Sequence, residues 1–299
     1  MWQWLASLIT FGLLLPTGNS FLITPQVNYV NLAGPTSTTT PQRISDNSLG
    51  LKTATPNILI IDQKSQAVLY NKQSVVIKPI ASITKLLTAL TFLDHNPDWD
   101  SVITISKDDQ RPGGKILFLP GDQVSVKDLF YTTLIASNNE AAVALARSTK
   151  LANFSAAMNQ KAKQLGLQDS NFIEPTGLDP TNVSSPADLV KLAQAAFSQP
   201  DISAALKLAN YQPIILNSDR VVIGEATDKL LDSFINNNQY QIIGAKTGFT
   251  DEAGYCLLLQ VARTDGSIIT LVLLDSPSQT SRWQEAKGLV DWVFTHYQW

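Results

Sequence analysis

Hydrophobic and polar positions divide the chain into three stretches. From Trp4 to Leu15 the residues are predominantly apolar, and Pro16-Thr17-Gly18-Asn19-Ser20 interrupts them before Phe21-Leu22-Ile23. A run this short fits the core of an export signal better than a membrane span, while Trp4 to Ile23 taken together would serve as an uncleaved anchor. Residues 1–24 therefore read as a signal peptide or N-terminal membrane anchor, with a buried helix of the domain as the alternative. Met1-Trp2-Gln3 brings no Lys or Arg ahead of the apolar run. Residues 25–56 are rich in Ser, Thr and Pro around Pro35-Thr36-Ser37-Thr38-Thr39-Thr40-Pro41 and carry neither a two-residue nor a 3.6-residue repeat. They read as a linker.

Regular patterning begins at Asn57 and continues to Trp299, which makes residues 57–299 the folded domain. Ile58-Leu59-Ile60-Ile61 and Ala67-Val68-Leu69-Tyr70 predict two strands joined near Gln63-Lys64-Ser65. Residues 82–93 predict a helix with Ile83, Leu86, Leu87, Leu90 and Leu93 on one face. Further helices are expected over 126–136, 139–149, 155–165 and 186–197, the last opened by Pro186 after Ser184-Ser185. Strands return over 241–245, 254–262 and 267–274, with a Thr264-Asp265-Gly266 turn between the last two. A final helix is expected over 281–296. The fold class is α/β (α+β): one antiparallel sheet of N- and C-terminal strands with flanking helices and an inserted helical lobe. A cleft between sheet and lobe is the expected place for a site.

Composition narrows the chemistry. The 299 residues are 44% hydrophobic and 16% charged, enough to bury a large core. A net charge of −3 argues against a nucleic-acid partner, which needs a basic face. The single cysteine, Cys256, excludes an intrachain disulfide, a Cys-rich zinc site and, by its depth in the chain, a lipid-modified N-terminal Cys. His95 and His296 are the two histidines. A hydrolase with this composition would draw its base from another residue type, and no metal or cofactor is expected.

Three short motifs carry candidate chemistry. Ser82-Ile83-Thr84-Lys85 is the single Ser-x-x-Lys, and its i, i+3 spacing on a helix stacks hydroxyl and amine on one face. A lysine amine can activate a hydroxyl once burial or a neighbouring cation depresses its pKa. The alternative is a helix N-cap at Ser82 with Lys85 in solvent. Ser137-Asn138-Asn139 falls between two predicted helices, where a capping role for Ser137 competes with a functional one. Another copy of this type, Ser45-Asp46-Asn47, sits in the linker ahead of Ser82 and is set aside. Lys246-Thr247-Gly248 ends a predicted strand, where Lys246 could hold charge near the nucleophile, Thr247 could bind a carboxylate and Gly248 could let substrate approach. A plain turn is the alternative.

The three motifs follow one another in the order known for penicillin-binding proteins and class A β-lactamases. The sequence resembles the serine D-Ala-D-Ala carboxypeptidases among the low-molecular-mass penicillin-binding proteins. The similarity extends over about residues 56–299. It includes Ile80-Ala81-Ser82-Ile83-Thr84-Lys85-Leu86, Phe118-Leu119-Pro120-Gly121-Asp122, Leu134 through Ala142, Asn171-Phe172 through Asp179, and Lys246 through Tyr255. The resemblance implies a β-lactamase/transpeptidase-like fold, with Ser82 as acylated nucleophile and Lys85 as its base. It makes Ser137, with Asn139, the proton relay to the leaving D-alanine. Lys246 would tune the electrostatics and Thr247 would hold the terminal carboxylate. Backbone N–H groups of Ser82 and Phe249 would form the oxyanion hole. Implied partners are peptidoglycan stem peptides ending in D-Ala-D-Ala, with β-lactams as inhibitors. The implied location is outside the cytoplasm.

The chain also departs from that family. Ala226-Thr227-Asp228 stands where some relatives carry Asn-x-Asn, which leaves the second carboxylate contact unassigned. Members with an additional C-terminal domain and anchor run further, so an anchor is expected at the N-terminus. Glu174-Pro175 is similar to a β-lactamase loop, but the Glu-x-x-Leu-Asn spacing is absent, and Glu174 is expected merely to precede the loop Pro175–Asp179. A penicilloyl adduct should then persist. The alternatives are a class A-like β-lactamase, a peptidoglycan DD-endopeptidase and a non-catalytic muropeptide-binding module.

Overall fold

In a computed structural model, which describes residues 40–44, 48, 50–95 and 98–299, two strands near the start of the domain pair with three near its end. The apolar start, residues 25–39 and Ser45-Asp46-Asn47 lie outside the described residues. The strands are β1 (Asn57–Asp62), β2 (Val68–Lys72), β3 (Tyr240–Thr250), β4 (Gly254–Arg263) and β5 (Ile268–Ser276). They form one antiparallel sheet in the order β3-β4-β5-β1-β2. The N- and C-terminal pieces meet where Ile60 opposes Leu271. β4 turns into β5 through Gly266, whose φ of +85° suits a residue without a Cβ.

Helices cover both faces of this sheet, so its central strands carry runs of successive apolar residues, Ile58–Ile61, Cys256–Leu259 and Leu271–Leu274. Ile58, Ile60, Leu257, Leu259, Leu271 and Leu273 pack under the C-terminal helix, together with its Leu289, Val290 and Val293. Leu59, Ile61, Leu258, Val272 and Leu274 face the inserted lobe. Seven α-helices lie among the described residues: α1 (Thr84–Leu93), α2 (Val126–Ile135), α3 (Asn139–Ser148), α4 (Phe154–Gln164), α5 (Pro186–Phe197), α6 (Pro200–Leu206) and α7 (Gln279–His296). Five begin with a side-chain cap, from Ser125, Asn138, Asn153, Ser185 and Ser278. Every residue of α1 from Thr84 to Phe92 is buried, which places this helix at the centre of the lobe.

Three boundaries differ from expectation. The helix foreseen from Ser82 starts as a 3-10 turn over Ala81–Ile83, and α1 proper begins at Thr84. The strand foreseen over 241–245 runs on to Thr250, because residues 246–250 pair with 254–258 of β4. Part of the 25–56 stretch is not free tether: Gln42 and Arg43 pair with Gln298 and Tyr297. The N–H groups of Ala54 and Thr55 donate to the Glu285 carboxylate of α7 at 2.6 and 3.1 Å.

Candidate active site

The first motif is built on a bent entry to α1. Ala81 has a φ of +46°, a left-handed conformation that is unfavourable for an L-residue with a Cβ and is held here by its surroundings. Ile80 N–H donates to Asn182 O and Ile83 N–H donates to Ile80 O, each at 3.2 Å, which closes the turn carrying Ser82. Neither the turn nor α1 has a side-chain cap, so the N-cap alternative for Ser82 does not hold. Lys85, one turn on, is fully buried.

Three oxygens surround the Lys85 amine: Ser82 Oγ at 2.8 Å, Asn139 Oδ1 at 2.8 Å and Thr176 O at 2.7 Å. The Asn139 orientation is fixed because its Nδ2 faces the carbonyls of Pro112 and Gly113. Two of the three oxygens can only accept, so they take two N–H bonds. The Ser82 hydroxyl can donate as well as accept, and a neutral amine there would receive its proton. Burial brings the Lys85 pKa down to about 7, while Glu174 and Glu140 resist that fall. A neutral amine aimed at a serine hydroxyl is a general base in position.

The second and third motifs meet across the cleft. Ser137 sits between α2 and α3 with a φ of +55°. The capping role proposed for it belongs to Asn138, whose Oδ1 accepts from Ala141 N–H at 2.8 Å. Ser137 Oγ is thereby left to accept from Lys246 Nζ at 2.8 Å. Lys246 is buried, and its pKa lies well below the ordinary lysine range because of burial first and the nearby Lys85 and Arg282 second. Lys246-Thr247-Gly248 is not a turn after a strand but part of edge strand β3. A Cβ on Gly248 would lie 2.7 Å from Ile80 O and 3.2 Å from Ser82 N, so only glycine lets β3 lie this close to the turn that carries Ser82. The Phe249 ring, half exposed, stacks on Tyr255 at 4.3 Å and leaves its backbone beside that turn.

Several residues around the site carry no motif. Thr247 Oγ1 donates to Thr227 Oγ1 at 2.7 Å, which puts the divergent Ala226-Thr227-Asp228 segment against the third motif. Asp228 is nearly buried; its Oδ1 accepts from Leu230 N–H at 2.9 Å, its Oδ2 has no partner among the described residues, and burial lifts its pKa to about 6. Arg282 of α7 donates to Gly248 O at 3.1 Å and Cys256 O at 3.2 Å, with its guanidinium over Trp283. A lone arginine in a helix gives no local signal; its role depends on a strand more than thirty residues away in sequence. Glu174 binds four donors: Thr176 N–H at 2.7 Å, Thr176 Oγ1 at 2.6 Å, Gly177 N–H at 2.5 Å and Asn182 Nδ2 at 2.8 Å. These fill the accepting positions of a carboxylate, so the β-lactamase reading loses the base that would hold its water. No group of three or more His, Cys, Asp or Glu among the described residues is placed to hold a metal ion.

A family model described as D-alanyl-D-alanine carboxypeptidase, Peptidase S11, matches residues 43–278. The chain belongs to the D-alanyl-D-alanine carboxypeptidase family. It is a hydrolase of the serine D-Ala-D-Ala carboxypeptidase type, as the sequence resemblance implied. Within the family, a D-alanyl-D-alanine endopeptidase of Pseudomonas aeruginosa is 33% identical over 255 residues, 81% of this chain and 78% of that one. The Streptomyces K15 DD-transpeptidase superposes with a TM-score of 0.75 at 26% identity, over 83% of this chain and 100% of its own. Penicillin-binding protein D2 of Listeria monocytogenes, in its ampicillin-bound form, gives 0.70 at 28% identity over 83% and 100%. The α+β architecture expected from the sequence is the fold of these proteins.

Proposed function

We propose that the chain cleaves peptidoglycan stem peptides ending in D-Ala-D-Ala through an acyl-enzyme on Ser82. The observation that carries this is the buried Lys85 amine, 2.8 Å from Ser82 Oγ and held from behind by Asn139 and Thr176. Lys85 takes the Ser82 proton as Oγ attacks the carbonyl carbon of the penultimate residue. Backbone N–H groups of Ser82 and Phe249 stabilise the oxyanion, a contribution of a few kcal/mol in such sites. The proton passes back through Ser137 to the leaving nitrogen as the C–N bond breaks, and water then releases the acyl group from Ser82. The terminal carboxylate lies at Thr247, where it favours the charged form of Lys246. Because β3 is an edge strand, an extended substrate can pair along its free side.

A second reading is cleavage of a peptide cross-link by the same chemistry. It is favoured by the endopeptidase name of the 33% identical relative. Both reactions place the domain outside the cytoplasm, and residues 1–24 are proposed to carry it there as signal or anchor. No helix of the described residues is long and apolar enough to cross a membrane.

A test pairs labelling with turnover. Fluorescent penicillin should add one label, mapped to the peptide containing Ser82 and absent from Ser82→Ala. The ampicillin-bound Listeria relative supports that expectation. Purified protein given a D-Ala-D-Ala pentapeptide should release D-alanine, whereas cross-linked dimers resolved to monomers without D-alanine release would establish the endopeptidase reading. Undiminished labelling of Ser82→Ala would overturn the nucleophile.

A further inference from the structure

The Glu174 carboxylate does more than precede its loop. By binding the N–H groups of both Thr176 and Gly177, it turns the intervening backbone so that Thr176 O faces Lys85 Nζ at 2.7 Å. Pro175 O, the carbonyl before it, accepts from Thr88 Oγ1 at 2.7 Å, so two successive loop carbonyls grip α1. Gly177, at φ +83°, lies so close to the nucleophile turn that a Cβ would stand 1.9 Å from Ala81 O. The loop thus touches both halves of the Ser82–Lys85 pair, and Glu174 is the group that shapes it. Asn182 joins the two sides: its Nδ2 donates to Glu174 Oε1, and its carbonyl accepts from Ile80 N–H.

We propose that Glu174 is a positioning residue for acylation: its carboxylate folds the 174–177 loop so that the Thr176 carbonyl orients the Lys85 amine and Gly177 seats the turn that carries Ser82. The proposal rests on the reading of Ser82 as nucleophile and Lys85 as base. Glu174 also acts through its charge. The groups facing Lys85 are Glu174 from the loop, Glu140 from α3 and Lys246 from β3; the two carboxylates favour the charged amine and Lys246 opposes it. Removing the Glu174 charge should therefore lower the pH at which the amine loses its proton, while removing its hydrogen bonds should misalign that amine.

The experiment measures the second-order rate of Ser82 acylation by fluorescent penicillin from pH 5 to 9, on the full chain, with thermal melting at each pH. Wild type should rise to a plateau through an acid limb near 7, the pH set by Lys85. Glu174→Gln should lower the plateau at least tenfold and move the limb to lower pH. Glu174→Asp, which keeps the charge but is one methylene shorter, should lower the plateau with the limb unmoved, and it guards against a Gln variant that does not fold. A purely structural role would lower amplitude or melting temperature in both variants and move neither limb. That outcome, or a folded Glu174→Gln acylating within twofold of wild type, would overturn the proposal. Failure of the underlying reading shows separately, as wild-type label away from Ser82.

Discussion

Burying an amine as deeply as that of Lys85 opposes folding whenever the amine is charged. Its pKa is about 7 in the folded chain against an ordinary 10.5, so between these values the unfolded chain holds the extra proton. Stability contributed at this position therefore rises with pH across that window, by up to about 1.4 kcal/mol per pH unit, and is lowest below pH 7. Lys85→Met removes this slope. In denaturant unfolding, the stability of wild type relative to Lys85→Met should increase from pH 7 to pH 9, while acylation by the variant falls roughly a thousandfold. Lys246 also titrates, and its pKa is itself lowered in part by Lys85, so the difference reports the coupled pair of buried amines. An unchanged difference across that range would mean that the buried amine is not titrating there. At this scale the sequence was legible wherever a short motif held both partners, as in Ser82 and Lys85. Glu174 and Arg282 were not legible as parts of the site, because what they do is fix backbone carbonyls and amides brought near by the fold.

Caps and apolar spacing made the longer helices readable, since Ser185-Pro186 satisfies a helix N-terminus by local chemistry alone, although at α3 the cap is Asn138 and not Ser137. The seven-residue α6 gave too short a pattern to read. The end of β3 was misplaced for a different reason. Lys246-Thr247-Gly248 has turn-like composition, and only the hairpin with β4 keeps it extended to Thr250. Gly248 shows what that extension requires. In Gly248→Ala the new methyl would meet Ile80 O at 2.7 Å, and neither backbone can yield without shifting the turn that carries Ser82. Thermal and denaturant unfolding should show a loss of about 1–3 kcal/mol. Penicillin labelling at equal folded fraction should slow more than tenfold, and wild-type labelling in a stable variant would show that β3 and the Ser82 turn are not in contact as described.

Across the whole molecule, the sheet's division between the two ends of the chain was legible because both sets include a strand with a continuous apolar run, Ile58–Ile61 in one and Leu271–Leu274 in the other. The start of the domain was not. The polar residues around Arg43 and Ala54 attach through backbone pairing with Gln298 and Tyr297 and through the Glu285 carboxylate, none of which leaves a hydrophobic pattern. The proposed export role of residues 1–24 is a property of the chain at this scale. Residues 1–56 fused to a reporter that works only after export should yield an active reporter. A soluble, cytoplasmic and inactive fusion would overturn that role.

The pairing of β1 with β5 also sets a schedule. A chain made from its N-terminus presents the β1–β2 hairpin and the Ser82–Lys85 pair early, yet Ile60 waits for Leu271 before its sheet can close. Lys246 and Arg282 arrive in the same late portion. Until then Ser82 has no strand against it and the hairpin keeps an open edge, the circumstance in which nascent chains are most exposed to wrong pairing. The core and the proposed catalytic cleft are thus completed by the same final strands.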